Sequence, residues 1–246
     1  MVARLEDGSD VTGDLLVAAD GARSAIRTQL HGEQERSYAG YAIWRTVTDY
    51  DHDDIPFGLF RVIWGRGCRF LFFHVAPGRL YWSSVSAAPE GEGEPEGGHK
   101  ATVAARHRGW PGPIERIIEE TPAETVGRMD TYEYTPLKSW NVGRIALLGD
   151  AAHPMTFNLG QGACQAIEDA FALAGELEKN GDVSGAIARY EDRRRKYTTG
   201  LMRQSRQIGA VAMWQRPLAV RFREQLQRRV IARQMGKAAR SVPQSA

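Results

Sequence analysis

The stretch from Arg144 to Leu177, RIALLGDAAHPMTFNLGQGACQAIEDAFALAGEL, constrains this chain more than any other. It opens with the short apolar run Ile145-Ala-Leu-Leu148, bounded by Gly149, which suits a buried strand of a parallel sheet. Asp150 then stands at the strand's carboxyl end. A loop with Pro154 and Asn158 leads to Gly160-Gln161-Gly162. After it, Ile167, Ala170, Phe171, Ala174 and Leu177 recur at spacings that fit one face of a helix. In open α/β sheets ligands sit beyond the carboxyl ends of the strands. A carboxylate there can accept hydrogen bonds from a ribose diol, and glycines allow close backbone approach. The helix start adds unpaired N–H groups and partial positive charge. An ordinary strand–loop–helix corner whose Asp caps a turn would leave the same pattern, and on the pattern alone both readings stand.

A second corner of the same kind lies near the start. Val2 to Leu5, the turn Glu6-Asp7-Gly8-Ser9 and the residues after it read as the end of a hairpin. Leu15 to Ala19 is another apolar run, ending at Asp20-Gly21, and Ala22 to Leu30 reads as a short helix stopped by Gly32. Were these two strands neighbours, both carboxylates would share one crevice. Arg23 and Arg27 would then either meet a phosphate or be solvated.

Gly149-Asp150-Ala-Ala-His153, Gly160-Gln161-Gly162 and Glu168-Asp169-Ala170 together closely resemble the GD motif of the FAD-dependent aromatic-ring monooxygenases. This is the family of para-hydroxybenzoate hydroxylase, salicylate hydroxylase and zeaxanthin epoxidase. Asp14 to Arg27 resembles the DG motif of the same family. The resemblance implies that Asp150 binds ribityl or ribose hydroxyls. It also implies that the loop at Gly160 and Gln161, with the N–H groups of Gly162, Ala163 and Cys164, faces the flavin pyrimidine ring. Asp20 and Gly21 would lie near the FAD pyrophosphate and help keep the site open to a nicotinamide donor. His153 is read as structural. Two positions depart from the family pattern: Phe157 replaces a usual proline, which would fix φ and lack an N–H, and Cys164 stands where Asn is common. The family's opening strand–G-x-G-x-x-G–helix is not found in this sequence. The chain therefore reads as a fragment, a late start or a truncated paralogue.

Residues 38–126 change character. Aromatic and β-branched runs at Tyr41–Thr48, Gly58–Trp64, Arg69–Val75 and Arg79–Val85 suggest an antiparallel meander. Helices are expected over Thr102–Arg108 and Ile114–Glu120. In the family the matching sheet roofs the flavin and holds substrate, so Trp44, Arg45, Arg69 and Phe73 become candidate pocket residues. For any one of them, sheet packing of an aromatic or surface exposure of an arginine is the plainer account. Arg128 to Trp140 returns the chain to the cofactor domain.

The C-terminal part is basic. From Val183 onward there are 15 Lys/Arg against 3 Asp/Glu, while the preceding 182 residues carry 17 against 27. Such a tail can meet nucleic acid or an anionic membrane, but the plainer expectation is a solvated face pairing with an acidic body. Helices are expected over Val183–Lys196, Leu201–Trp214 and Leu218–Met235, with Gly236–Ala246 frayed.

The expected architecture is therefore α/β (α+β overall): a truncated Rossmann-like FAD-binding domain, an inserted mostly antiparallel substrate sheet and C-terminal helices. Its expected parts are 1–37 (DG motif), 38–126 (substrate sheet), 127–182 (GD motif) and 183–246 (basic helices). The expected activity is NAD(P)H- and O2-dependent hydroxylation of an aromatic or similar electron-rich small molecule through a flavin C4a-hydroperoxide. The cofactors are FAD and NAD(P)H, and no side chain is assigned as catalytic. A non-catalytic or partner-dependent fragment is the alternative; a flavin reductase or halogenase is a weaker one. Two distant cysteines, Cys68 and Cys164, and six histidines without ligand spacing give no expectation of a disulfide framework or a metal site. No apolar run reaches the ~18–20 residues that span a bilayer. The expected location is cytoplasmic, with a small-molecule substrate and no nucleic-acid partner.

Overall fold

A computed structural model of the chain describes residues 1–180 and 182–241. The chain opens as its Asp-Gly turn dictates. Strands β1 (Val2–Arg4) and β2 (Asp10–Thr12) pair antiparallel, with Gly8 at φ 82° in the turn between them. Next come β3 (Leu16–Ala18) and α1 (Ala25–His31). The Ser24 side chain caps α1 by accepting from the Arg27 N–H, and Gly32 ends it with φ 74°.

The aromatic middle forms β4 (Arg36–Asp49), β5 (Arg61–Trp64), β6 (Cys68–Ala76) and β7 (Arg79–Ala87). Helices α2 (Gly98–Arg106) and α3 (Ile114–Glu120) follow, then β8 (Gly127–Tyr134). Helix α2 starts four residues before the expected Thr102, because Gly97 takes φ 84° and turns the chain into it early. The sheet order is β5-β6-β7-β4-β8. Its register puts Trp44 opposite Ser84 and Ser84 opposite Phe70, and puts Arg45 opposite Ser83 and Ser83 opposite Leu71. Side chains alternate across a strand, so Trp44, Phe70, Phe72, Leu80 and Trp82 share one face. There they form a buried cluster with Val103 of α2 and Ile114 and Ile117 of α3. The Trp82 indole N–H donates to Thr121 Oγ1 at 2.9 Å. Each such side chain contributes roughly 1.5–3 kcal/mol on burial, so this row outweighs any exposed ion pair of the sheet, worth about 0–1 kcal/mol.

The chain continues through β9 (Asn141–Val142) and β10 (Ile145–Leu147). Two single 3-10 turns, Gly149–Ala151 and Phe157–Leu159, lead into α4 (Gly162–Asn180), α5 (Val183–Ala212) and α6 (Pro217–Ser241). Strand β10 lies parallel to β3, Ile145 opposite Leu16 and Leu147 opposite Ala18, and β9 pairs on its other side. Around this small sheet pack Trp140, Ala146, Leu147, Leu173, Ile187 and Tyr190.

The residues divide into two compact units, Met1–Ala39 with Tyr132–Gly209 and Gly40–Thr131 with Ala210–Ala246. The division runs through α5, between Gly209 and Ala210. Two expectations about the helices are corrected. Helix α5 runs unbroken from Val183 to Ala212 rather than as two pieces. The Thr198 hydroxyl folds back onto the Arg194 and Arg195 carbonyls, and Gly200 is carried within the long helix at a cost of about 1 kcal/mol. Residues 236–241, expected to fray, continue α6; residues 242–246 of that expected tail lie outside the described residues.

The face of α4 at Ile167, Ala170, Phe171 and Ala174 exists, but it is the exposed one: Ile167 is 59% and Phe171 75% accessible. The buried face carries Gln165, Asp169, Ala172, Leu173 and Glu176, which have the same helical spacing. Its polar members disguise it in the sequence.

Candidate cofactor site

The parallel pairing of β3 and β10 places Asp20 and Asp150 beyond the carboxyl ends of neighbouring strands. Between them lies Arg27, buried and not solvated. Its guanidinium donates to the Asp150 carbonyl at 3.2 Å, to the Ala151 carbonyl at 3.0 Å and to the Ala22 carbonyl. Burial pulls its pKa down, while Tyr134, Asp20 and Asp150 act to raise it. Arg27 therefore ties the Asp-Gly loop to the Gly-Asp loop. Arg23 is exposed.

The two carboxylates behave differently. Asp20 Oδ2 accepts from the Ile26 N–H at 3.2 Å, serving the first turn of its own helix. Burial acts to raise its pKa, but bonds from Ser24 and from the Ile26 N–H outweigh it and hold the group below its ordinary value. Asp150 makes no side-chain hydrogen bond among the described residues. Its pKa is raised, chiefly because surrounding protein strips water from it, against the attraction of His153 and Arg27.

A third carboxylate fixes the Asp150 turn. Asp169, fully buried on α4, accepts from the Gly149 N–H at 3.1 Å, from His153 Nε2 at 2.6 Å and from Arg194 Nε at 2.7 Å. Burial acts to raise its pKa, and these three donors override burial and hold it low. A carboxylate so held only accepts, so His153 carries its proton on Nε2. The His153 ring packs 5.1 Å from that of Trp140, which agrees with its reading as structural. Arg194, from α5, also donates to Glu168 at 2.7 Å and to Gln165 Oε1 at 2.6 Å. Gln165 Nε2 in turn donates to Gln161 Oε1 at 3.2 Å, so one arginine steadies both the turn before Asp150 and the Gly160–Gly162 loop. Gly149 is required by two constraints: φ 60°, and an added Cβ that would stand 2.9 Å from Ala166 Cβ.

Helix α4 begins against Asp150. A Cβ on Gly162 would lie 3.8 Å from Asp150 Oδ1. Gly160, at φ 64°, turns the chain into the helix. Among the described residues, the N–H groups of Gly162, Ala163 and Cys164 meet no acceptor, and the ladder starts with Gln165 N–H to the Gln161 carbonyl at 2.9 Å. Gly160, Gln161, Ala163 and Cys164 are all exposed, and Phe157 is half-buried in the 3-10 turn before them. A partnerless carboxylate beside open helix N–H groups can accept from ligand hydroxyls and donate to ligand oxygens or ring nitrogens. That chemistry fits the sugar and the pyrimidine edge of a flavin nucleotide.

The candidate substrate residues lie in the other unit. Arg45, Arg69 and Phe73 share one sheet face, with Arg45 exposed, Phe73 half-buried and Arg69 buried. The Arg69 guanidinium lies 5.7 Å from the Trp64 ring centroid, and burial pulls its pKa down. Trp44 points to the opposite face. It is fully buried in the aromatic row, with the Arg106 and Arg128 guanidinium groups 4.4 and 5.5 Å from its ring. Neighbouring residues of one strand cannot line one pocket wall, which corrects the grouping of Trp44 with Arg45. The sequence assigns no role to Asp169 or Arg194 and offers Arg27 only a phosphate or solvent. Asp169 was visible as part of the motif; the two arginines act on distant backbone and side chains and leave no local signature.

The model of the FAD binding domain family matches residues 2–205. The chain is 40% identical over 228 residues to the aurachin C monooxygenase/isomerase of Stigmatella aurantiaca, covering 93% of this chain and 59% of that protein. It is 36% identical over 204 residues to the chloroplastic zeaxanthin epoxidase of rice, covering 79% of this chain and 31% of that one. In structure it resembles Klebsiella pneumoniae HpxO complexed with FAD and uric acid, with a TM-score of 0.87 and 29% identity over 99% of this chain and 64% of that one. The chain thus spans about three-fifths or less of the relatives' own lengths. With the matching family model extending from the hairpin through most of α5, over both Asp corners, this chain belongs to the FAD binding domain family.

Proposed function

We propose that this chain carries the flavin-ring and ribose half of an FAD-dependent monooxygenase that hydroxylates an aromatic or similar electron-rich small molecule. The observation that carries this reading is the partnerless Asp150 carboxylate beside the open N–H groups of α4. Bound FAD, reduced by NAD(P)H, supplies the oxygen-transfer chemistry with O2. The chain's own residues bind and orient. Asp150 accepts from ribityl or ribose hydroxyls. The N–H groups of Gly162, Ala163 and Cys164 donate to the pyrimidine edge, and the partial positive charge there favours the anionic form of that ring. Asp20 and Gly21 support the pyrophosphate side. Arg45, Arg69 and Phe73 are proposed to meet substrate, the buried Arg69 suiting a carboxylate or phenolate. No side chain is assigned acid–base or nucleophilic work. A cytoplasmic location is part of this proposal; among the described residues, no helix is long and apolar enough to cross a membrane.

The test is direct. The purified chain is titrated with FAD, then assayed for NAD(P)H oxidation with a panel of phenolic and heteroaromatic acids. Flavin absorbance and substrate-stimulated oxidation are expected; a colourless protein that never takes up FAD contradicts the reading for this polypeptide. One observation favours a partner-dependent fragment as a second reading. β3 is the outer strand of its sheet among the described residues, with Val17 exposed, and α4 exposes Ile167 and Phe171. An added strand and helix would cover both. In that case FAD uptake appears only when a second polypeptide is supplied.

A further inference from the structure

Helix α6 has two unlike sides. Arg223 is fully buried, donating to the Gly65 carbonyl at 2.7 Å and the Ala212 carbonyl at 3.1 Å, with its guanidinium 5.4 Å from the Trp64 ring centroid. Val220, three residues earlier, is buried too. These contacts fix which side of α6 faces the protein. Leu218, Phe222 and Leu226 stand away from it at 80%, 61% and 52% accessibility. At about 100° per residue they occupy an arc of roughly 80° and form one ridge. Arg221 and Arg228 border one side of the ridge and Arg229 follows it at its C-terminal end; all three are exposed, and Arg216 stands just before the helix. Between residues 216 and 229 the only acidic residue is Glu224.

We propose that α6 is an interfacial helix that seats this chain on an anionic lipid surface. An apolar ridge bordered by arginines is what such a surface takes: leucine and phenylalanine enter the acyl boundary while guanidinium groups reach the headgroups. Charge selects this occupant. A second copy docking ridge to ridge would bring its arginines against these with one acidic residue on each side to offset them. A nucleic acid would take the arginines and leave the leucines and Phe222 in water. The ridge is short, so seating is reversible and depends on lipid charge. The inference does not rest on FAD binding.

The test is co-sedimentation of the purified chain with phosphatidylcholine vesicles, with and without phosphatidylglycerol, at low and high salt. Binding is expected to be roughly tenfold stronger with phosphatidylglycerol and to weaken with salt. The triple variant Leu218→Ser, Phe222→Ser, Leu226→Ser is expected to lose roughly tenfold or more of that binding. Its circular dichroism and melting should be unchanged, because the three side chains are exposed. Arg221→Gln with Arg228→Gln and Arg229→Gln removes the preference for phosphatidylglycerol. Absence of vesicle binding, equal binding to neutral and charged vesicles, or full binding by the ridge variant each overturns the proposal. So does sedimentation showing that the ridge serves only to make a dimer.

Discussion

Two strand–Asp–helix corners lie side by side in the first unit, and they use the same parts to opposite ends. At the β3 corner Asp20 and Ser24 together satisfy the Ile26 and Arg27 N–H groups of α1. The corner is closed by its own residues. At the β10 corner the matching carboxylate, Asp150, bonds to nothing among the described residues, and α4 starts with three unanswered N–H groups. Its turn is held from behind, by Asp169, His153 and Arg194. Moving the structural work to a buried carboxylate leaves Asp150 available to a ligand. A closed corner stabilises the fold, and an open one, rigidly backed, can bind.

The comparison breaks most violently at its backing. Asp169→Ala leaves Arg194 and His153 buried without their carboxylate, and removal of one partner from a buried ion pair costs about 3–5 kcal/mol. Urea unfolding should show that loss, and Asp169→Asn should show less because the amide oxygen still accepts. Gly149→Ala comes next. It forces a side chain into φ 60° and against Ala166, and overpacking of this kind costs about 1–3 kcal/mol; the melting temperature reads it.

Asp20→Ala should be milder, about 0.5–1 kcal/mol, as for a lost cap at a solvent-exposed site. Its pH signature sharpens the contrast. A carboxyl held below its ordinary value in the folded state contributes stability above its unfolded pKa and loses it as pH falls through the folded value. The difference between wild type and Asp20→Ala should therefore shrink in acid. Asp150 carries the opposite sign. Its folded pKa is raised, so the charged form is disfavoured in the folded state and stability is gained as pH falls through that raised value. Asp150→Asn should leave stability at neutral pH unchanged or slightly higher, as thermal melts across the acid range would show.

Much of this was legible in the residues. Strand length, the Asp-Gly and Gly-Asp ends, Gly160 and Gly162 located both corners, because each rests on local backbone demands. The backing was not legible, since Arg27 and Arg194 act on groups far away in sequence. The solvent side of α4 was misleading for a definite reason: its exposed stripe is more apolar than its buried one, where Gln165, Asp169 and Glu176 lie inside. Trp44 shows the converse. Period-two alternation already separates it from Arg45, although the family resemblance offers both as pocket residues. The expected pairing of the basic tail with an acidic body is seen in part, with Arg189 on Glu176, Arg194 on Glu168 and Arg206 on Glu133.

The open corner is tested most directly by FAD titration of Asp150→Ala beside wild type and Asp20→Ala, with unfolding followed on the same samples. The account predicts that Asp150→Ala weakens FAD binding roughly tenfold or more, the scale of a lost hydrogen bond to a charged group, while melting as wild type does. Unchanged FAD affinity in folded Asp150→Ala would contradict it.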